Sequence, residues 1–336
     1  MRRAGEAPIE IGPIDIARYR TGNTGVPYVT SLASGLPGPH VMVTALIHGN
    51  EISGAHALRF LLERGIRPHR GRLTLAFANV AAYARFDAKA PYASRFVDED
   101  LNRVWDTATL EGPRASVELT RARALRPIVD GVDRLLDLHS TSLAMAPMLL
   151  CGMPPKGLAL ARAVGFPRHV VIDAGHAEGR RLRDYDGFGE AGNGRAALLL
   201  ESGPHFAAAS VRVAIEGTLR FLLACGTIAA ATAAPHLGPP PAGQTVIRVT
   251  ERVVPSHAGF AFTRPLAGFE VIAGAGTEIA RDGETVIRTP YDDCVVVMPS
   301  ATPRPGLTAV RLGRIEEAGA TARPPTKRPS SAGSAS

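Results

Sequence analysis

Val41-Met42-Val43-Thr44-Ala45-Leu46-Ile47-His48-Gly49-Asn50-Glu51 is the stretch that decides how this chain is read. Residues 41–47 form a continuous apolar run with β-branched members, the signature of a strand buried on both faces in an α/β sheet. Polar chemistry begins where that run stops. His48 and Glu51 lie three residues apart, and on a tight turn leading into a helix both side chains can converge on one point. Gly49 leaves room there for the backbone. In open α/β sheets the ligand crevice lies at the carboxyl ends of the strands. Ser53 is expected to cap a helix reaching about Gly65, with Ala57, Leu58, Leu61 and Leu62 on one face.

Two further apolar runs end in the same way. Residues 134–138 (RLLDL) lead straight into His139, and residues 195–200 (RAALLL) into Glu201. A lone His-x-x-Glu is common by chance, and so is a lone Asp-Leu-His. The combination carries the weight: three acid or histidine motifs each end a buried strand, with Asp100-Leu101-Asn102-Arg103 between the first and second. His48, Glu51 and His139 make a His2Glu set, a known catalytic zinc arrangement with a fourth position open to water. Imidazole and carboxylate suit that metal without thiolates, and the bound water becomes a usable nucleophile near neutral pH. Asp137 is a candidate acceptor for a ligand histidine. Glu201 is a candidate general base. Arg95 offers a bidentate partner for a carboxylate or a developing oxyanion, and Asn102 adds a neutral donor. His205, after Pro204, is a candidate for the pocket wall. His56 reads as packed or exposed, and His40, His69, His169, His176, His236 and His257 as surface residues.

The rest of the chain frames these motifs. Residues 72–78, 147–151 and 168–172 read as strands, and 115–131, 157–164 and 206–224 as helices. Residues 79–113 read as a loop too long for a plain connection, and such loops often carry function. Residues 226–243, with Pro239-Pro240-Pro241, read as a linker. Short alternating runs near 244–250, 258–263, 269–273, 284–288, 294–298 and 307–312 predict a small all-β module, and residues 319–336 a disordered tail. The expected organisation is an α/β catalytic domain over 1–232 and a β-rich domain over 244–314.

Composition narrows the classes. Hydrophobic residues are 45% and charged residues 21% of 336, which excludes global disorder. No apolar run approaches the roughly 20 residues that span a bilayer, so no membrane partner is expected. The start of the chain has no apolar signal core, and the expectation is a cytoplasmic protein. Cys151, Cys225 and Cys294 are scattered, which reads as reduced thiols and not as a disulfide frame. The net charge of +7 is carried almost wholly by arginine, since the lysines are only Lys89, Lys156 and Lys327. No basic run interleaves with aromatics, which argues against nucleic acid. A positive field can still draw in a small anionic substrate.

The motifs resemble those of the succinylglutamate desuccinylase/aspartoacylase family, which has the zinc carboxypeptidase-like (M14-type) fold. The matching segments are His48-Gly49-Asn50-Glu51, Asp100-Leu101-Asn102-Arg103, Asp137-Leu138-His139 and Glu201-Ser202-Gly203, in the family's order. The β-rich segment with its Pro290-Tyr291-Asp292-Asp293 turn resembles the family's C-terminal β domain. The resemblance implies a mixed sheet flanked by helices with a small C-terminal all-β domain. It implies one zinc ion per chain on His48, Glu51 and His139, Glu201 as general base, Arg95 on the oxyanion, and Asn102 with Arg103 on a substrate carboxylate. Members that read an acidic side chain carry another arginine about ten residues before the glutamate. Here the nearest is Arg195, six residues before Glu201, so strict acidic specificity is not implied. Tyr185 and Tyr291 are candidate pocket-liners. The function expected is a zinc-dependent amidohydrolase acting on a small N-acylated amino acid or related amide, with a carboxylate-bearing small molecule as the expected substrate. A metallocarboxypeptidase, an ester hydrolase and a non-catalytic binding protein are the alternatives, and a homo-oligomer is open. A C-terminal module covering the pocket mouth would exclude long peptides.

Overall fold

In the computed structural model, which describes residues 8–316 apart from residue 177, the opening run becomes the second strand of an eleven-stranded mixed sheet. The elements in chain order are β1 (Val29–Ala33), β2 (His40–Ala45), α1 (Ser53–Glu63), β3 (Arg72–Phe77), α2 (Val80–Tyr83), α3 (Thr107–Glu111), α4 (Val117–Val129), β4 (Arg134–Thr141), β5 (Met148–Cys151), α5 (Pro155–Val164), β6 (His169–Ile172), β7 (Ala196–Pro204), α6 (Ala208–Ala224) and α7 (Ala230–Ala233). They continue with β8 (Thr245–Val253), β9 (Ala261–Phe262), β10 (Val271–Ile272), β11 (Glu278–Asp282), β12 (Thr285–Arg288), β13 (Cys294–Val297) and β14 (Val310–Glu316). The expected tail, 319–336, lies outside the described residues.

The sheet order is β1-β3-β2-β4-β7-β5-β6-β8-β14-β13-β10. Strands β3, β2, β4 and β7 run parallel at its centre, and β5 turns antiparallel to β7. Side chains alternate across each strand, so the sheet has two differently furnished faces. Val41, Val43, Ala45, Leu136, Leu138, Leu198 and Leu200 pack with α1, α5 and α6 on one face. On the other, Met42, Leu135 and Ala197 pack with Leu119, Ala122 and Leu125 of α4 and with Trp105. Asp137, His139, Leu199 and Glu201 share the parity of Leu135 and Ala197, and they belong to this second face.

Four C-terminal strands extend the large sheet. β8 lies parallel to β6, and β14, β13 and β10 follow antiparallel. β9, β11 and β12 make a separate small sheet, in which β11 has no counterpart in the sequence reading. Three local expectations change. The first long strand ends at Ala45, because Leu46 takes a φ of 63° and turns the chain. Ser53 does not cap α1; it is the first helical residue, and its hydroxyl bonds Ser202 Oγ at 2.9 Å. The stretch read as a linker contains α7, with Ile228 and Ala233 buried. No helix among the described residues is long and apolar enough to cross a membrane.

Candidate functional site

The turn after β2 closes with Glu51 N donating to His48 O at 3.1 Å. At Gly49 the backbone N donates to Arg95 O at 3.0 Å, and a Cβ there would lie 2.4 Å from Ser94 O and 2.5 Å from Tyr83 N. Only glycine lets the segment carrying Arg95, at the end of a short 3-10 helix over Pro91–Ser94, lie against this turn. The tight approach sets Arg95 beside His48 and Glu51.

The metal candidates meet through specific atoms. Nδ1 of His48 is 2.8 Å from Glu51 Oε1, and Nδ1 of His139 is 2.8 Å from Glu51 Oε2. The three possible ligand atoms lie within 4.8 Å of one another, and all three residues are buried. Each histidine turns its other nitrogen to a carboxylate: His48 Nε2 lies 2.9 Å from Asp100 Oδ1, and His139 Nε2 lies 2.7 Å from Asp137 Oδ2. Asp137 in turn accepts from Thr44 Oγ1 at 2.6 Å. This carboxylate–histidine pairing orients imidazoles for a metal and leaves Nδ1 as the donor atom. The electrostatics agree. Burial works against a charge on His139, but Asp137 and Glu51 outweigh it and raise its pKa well above the usual range. Burial likewise pushes Glu51 up, but His48 and His139 outweigh it and hold it well below the carboxylate norm. Both shifts mark a point that draws positive charge, and two imidazoles with one carboxylate fit a zinc-like cation. Asp100 was not recognised for this role in the sequence, although it lies in a quoted motif. We expect Asp100→Asn to weaken metal affinity by about 10- to 100-fold, measured by chelator competition; unchanged affinity would remove Asp100 from the ligand-orienting set.

Glu201 stands directly beside His139 in the β4–β7 pairing. Its Oε2 has no hydrogen-bond partner among the described residues. Burial, and then the charge of Glu51, raise its pKa to about 8. Arg95 reaches the same point from the loop: Nη1 lies 3.3 Å from Glu51 Oε1, and Nη2 lies 2.9 Å from His48 Nε2 and 3.2 Å from Asp100 Oδ2. Burial opposes its charge, but Asp100 and Glu51 prevail and raise its pKa. Asn102 has its Oδ1 taken by Leu182 N at 2.9 Å, and its Nδ2 lies 3.5 Å from His139 Nε2. Its Nδ2 is the atom that can donate to a substrate carboxylate. Arg103 donates to Asn102 O at 2.9 Å and stays partly open to the cavity.

These groups line one cavity of about 730 Å³, a size suited to a small molecule. His205 is on its wall, with Nδ1 2.8 Å from Ser140 Oγ; burial, together with Arg95 and His48, lowers its pKa to about 4, so the ring is neutral. Residues after β13, between Met298 and Thr308, also line it.

Other sequence expectations change here. His176 is not a surface residue: it lines the cavity next to Glu178 and Arg311. Among the described residues, Tyr185 and Tyr291 are not cavity-liners. The Tyr185 hydroxyl bonds Asp130 and Arg126 beneath Trp105. Tyr291 bonds Thr250, with Arg314 stacked 3.6 Å over its ring. Arg195 is at the far end of β7, six residues at about 3.3 Å each from Glu201. It is held there by Val129 O, Val132 O and Asp186. Arg181 and Arg311, which do line the cavity, had no motif to reveal them.

Comparison with known proteins now has geometry to stand on. Residues 37–207 match the model of the succinylglutamate desuccinylase/aspartoacylase catalytic domain. The chain belongs to the succinylglutamate desuccinylase/aspartoacylase family. It is 30% identical over 289 residues to a succinylglutamate desuccinylase of Paraburkholderia xenovorans (strain LB400), covering 80% of this chain and 79% of that one. It is 33% identical over 119 residues to a human N-acyl-aromatic-L-amino acid amidohydrolase (carboxylate-forming), covering 33% of this chain and 36% of that one. A family structure from Rhodobacter sphaeroides superposes with a TM-score of 0.62 at 20% identity, over 95% of this chain and all of the other (100%). That last likeness concerns the fold, and it bears out the mixed sheet flanked by helices.

Proposed function

We propose that this chain is a zinc-dependent amidohydrolase that cleaves the amide bond of a small, carboxylate-bearing N-acylated amino acid. The observation that carries the reading is the pair of histidine Nδ1 atoms on the two oxygens of Glu51, with Glu201 on the neighbouring strand and one of its oxygens unpartnered. Zinc held by His48, Glu51 and His139 would supply Lewis acidity toward the carbonyl and make water a nucleophile near neutral pH.

The protein's own groups then have distinct tasks. Glu201 accepts a proton from the attacking water and passes it to the leaving nitrogen. Its unpartnered Oε2 and raised pKa suit a group that must both take and return a proton. Arg95 faces the carbonyl oxygen as negative charge develops there, in a site that excludes bulk water. Arg103 binds the substrate carboxylate, with Asn102 Nδ2 as a neutral donor beside it. Residues 1–232 would carry the chemistry, and residues 244–314 would shape the mouth. Residues of the 298–308 segment form part of the cavity wall, and this enclosure supports small amides over peptide ends.

The test is a panel of N-acyl amino acids, short peptides and matched esters, assayed for amine or alcohol release. Turnover of the acylated amino acids with little cleavage of peptides is expected. Efficient trimming of long peptides would replace this reading with a carboxypeptidase.

A further inference from the structure

The cavity is chemically divided, and only one half is accounted for by the proposed reaction. Glu201, Leu199 and Ala197 share one sheet face, and the strand pairing sets Leu199 directly opposite Leu150 on β5. Leu150 and Leu199 line the cavity and also belong to a hydrophobic cluster with Val171, Ile247 and Val297. Met145 belongs to the same cluster, Leu143 and Met298 pack against it, and all three line the same cavity. Met145 is pinned from behind, since a Cβ on Gly268 would lie 2.3 Å from its Cε. The wall beside Glu201 is thus an apolar recess continuous with the core, its accessible surface given by the half-buried Leu143 and Met298, with Leu150, Leu199 and Met145 buried behind them.

The arginines nearby do not offset this. Arg181 Nη2 is 2.7 Å and Arg311 Nε 3.3 Å from the same oxygen of Asp173, and all three side chains are buried. Arg183 donates to the Asp173 carbonyl at 3.0 Å and is paired to Asp184 at 2.8 Å. Two of the cavity's basic groups are therefore already engaged by an internal carboxylate, Arg103 and Arg95 have the tasks given above, and Arg304, the remaining arginine on the wall, is exposed in the 298–308 segment.

We propose that this recess is an apolar subsite, so that the preferred substrates carry one carboxylate and one aliphatic or aromatic group, not a second acidic group. The proposal rests on the amidohydrolase reading and names its substrate class. The apolar group can belong to the acyl chain or to the amino-acid side chain, since both flank the scissile bond and both offer the same chemistry to the recess.

Two substrate series distinguish these sources. One lengthens the acyl chain from acetyl to hexanoyl on a fixed amino acid. The other holds N-acetyl constant and compares the alanine, leucine, phenylalanine and aspartate derivatives. In one of the two series kcat/KM should rise roughly fourfold for each methylene buried, and N-acetylaspartate should trail N-acetylleucine by about tenfold or more. Leu143→Trp should flatten the responding series, because the indole occupies the recess. Leu143→Ala should shift the optimum to a longer chain, and it serves if the tryptophan variant does not fold. Two flat series, or a preference for N-acetylaspartate, would overturn the subsite while leaving the amidohydrolase intact. If no amide is cleaved, the amidohydrolase reading fails. Calorimetric binding of the same compounds then decides the subsite: a fourfold step in affinity per methylene supports it, and its absence overturns it.

Discussion

Glu201→Gln should keep its metal and lose at least about a hundredfold in turnover, the usual cost of removing a general base. The amide is close in shape to the carboxylate and fits the same place beside His139 on β7. It cannot take the proton from water, so the loss should appear in kcat more than in KM. The variant should also relieve a repulsion, because the pKa of Glu201 is raised to about 8 first by burial and then by the charge of Glu51. A base must be deprotonated, so the wild-type rate should climb as pH rises through this group's pKa. A cation seated on Glu51 cancels part of the repulsion, which brings that limb below pH 8. In the Gln variant the limb should be missing from the profile. Near-normal turnover, or an unchanged acidic limb, would take the proton-transfer role away from Glu201.

The second large effect is expected at His48. His48→Ala should reduce zinc from one ion per chain to a small fraction of that, because one of three protein ligands is gone and Glu51 loses the partner 2.8 Å from its Oε1. Activity should fall with the metal and should not be recovered at ordinary zinc concentrations. Removing one partner from a buried charged cluster often destabilises by about 3–5 kcal/mol. Here Arg95 still bridges Glu51 and Asp100, at 3.3 and 3.2 Å, which should limit the loss and let the variant fold. Metal analysis and a thermal midpoint, measured together, separate the two effects. A folded variant with its full zinc complement would refute the ligand assignment.

The parts of this site that are legible in the sequence are those where chemistry follows an apolar strand without interruption. His48, His139 and Glu201 are of that kind, since burial of a strand and the position of its carboxyl end both follow from local pattern. The strand ends themselves are less legible. β4 and β7 continue past His139 and Glu201, to Thr141 and Pro204, because the pairing of neighbours extends them. The basic wall could not be read at all. Arg181 and Arg311 are 130 residues apart in sequence and meet only because Asp173 holds both. Tyr185 misleads for the opposite reason. Its hydroxyl satisfies itself on Asp130 and Arg126, partners that no spacing rule connects with it. The C-terminal strands show a third kind of ambiguity. Short alternating runs announce strands but do not say which sheet accepts them, and β8, β10, β13 and β14 joined the large one.

The place of β14 in that sheet has a consequence in time. It inserts between β8 and β13, the last described strand to be synthesised, and it brings Arg311 to Asp173. Its pairing with β8 spans some sixty residues, from Val310↔Val253 to Glu316↔Val246. The site strands pair over separations just as long, Val41↔Arg134 for β2–β4 and His139↔Glu201 for β4–β7, so it is the order of synthesis that leaves β14 until last. During translation, the strands bearing His48, His139 and Glu201 can therefore assemble while one side of the cavity is still missing. A nascent chain at that stage would expose the His48, Glu51 and His139 cluster and the apolar wall together, until β14 arrives to close that side.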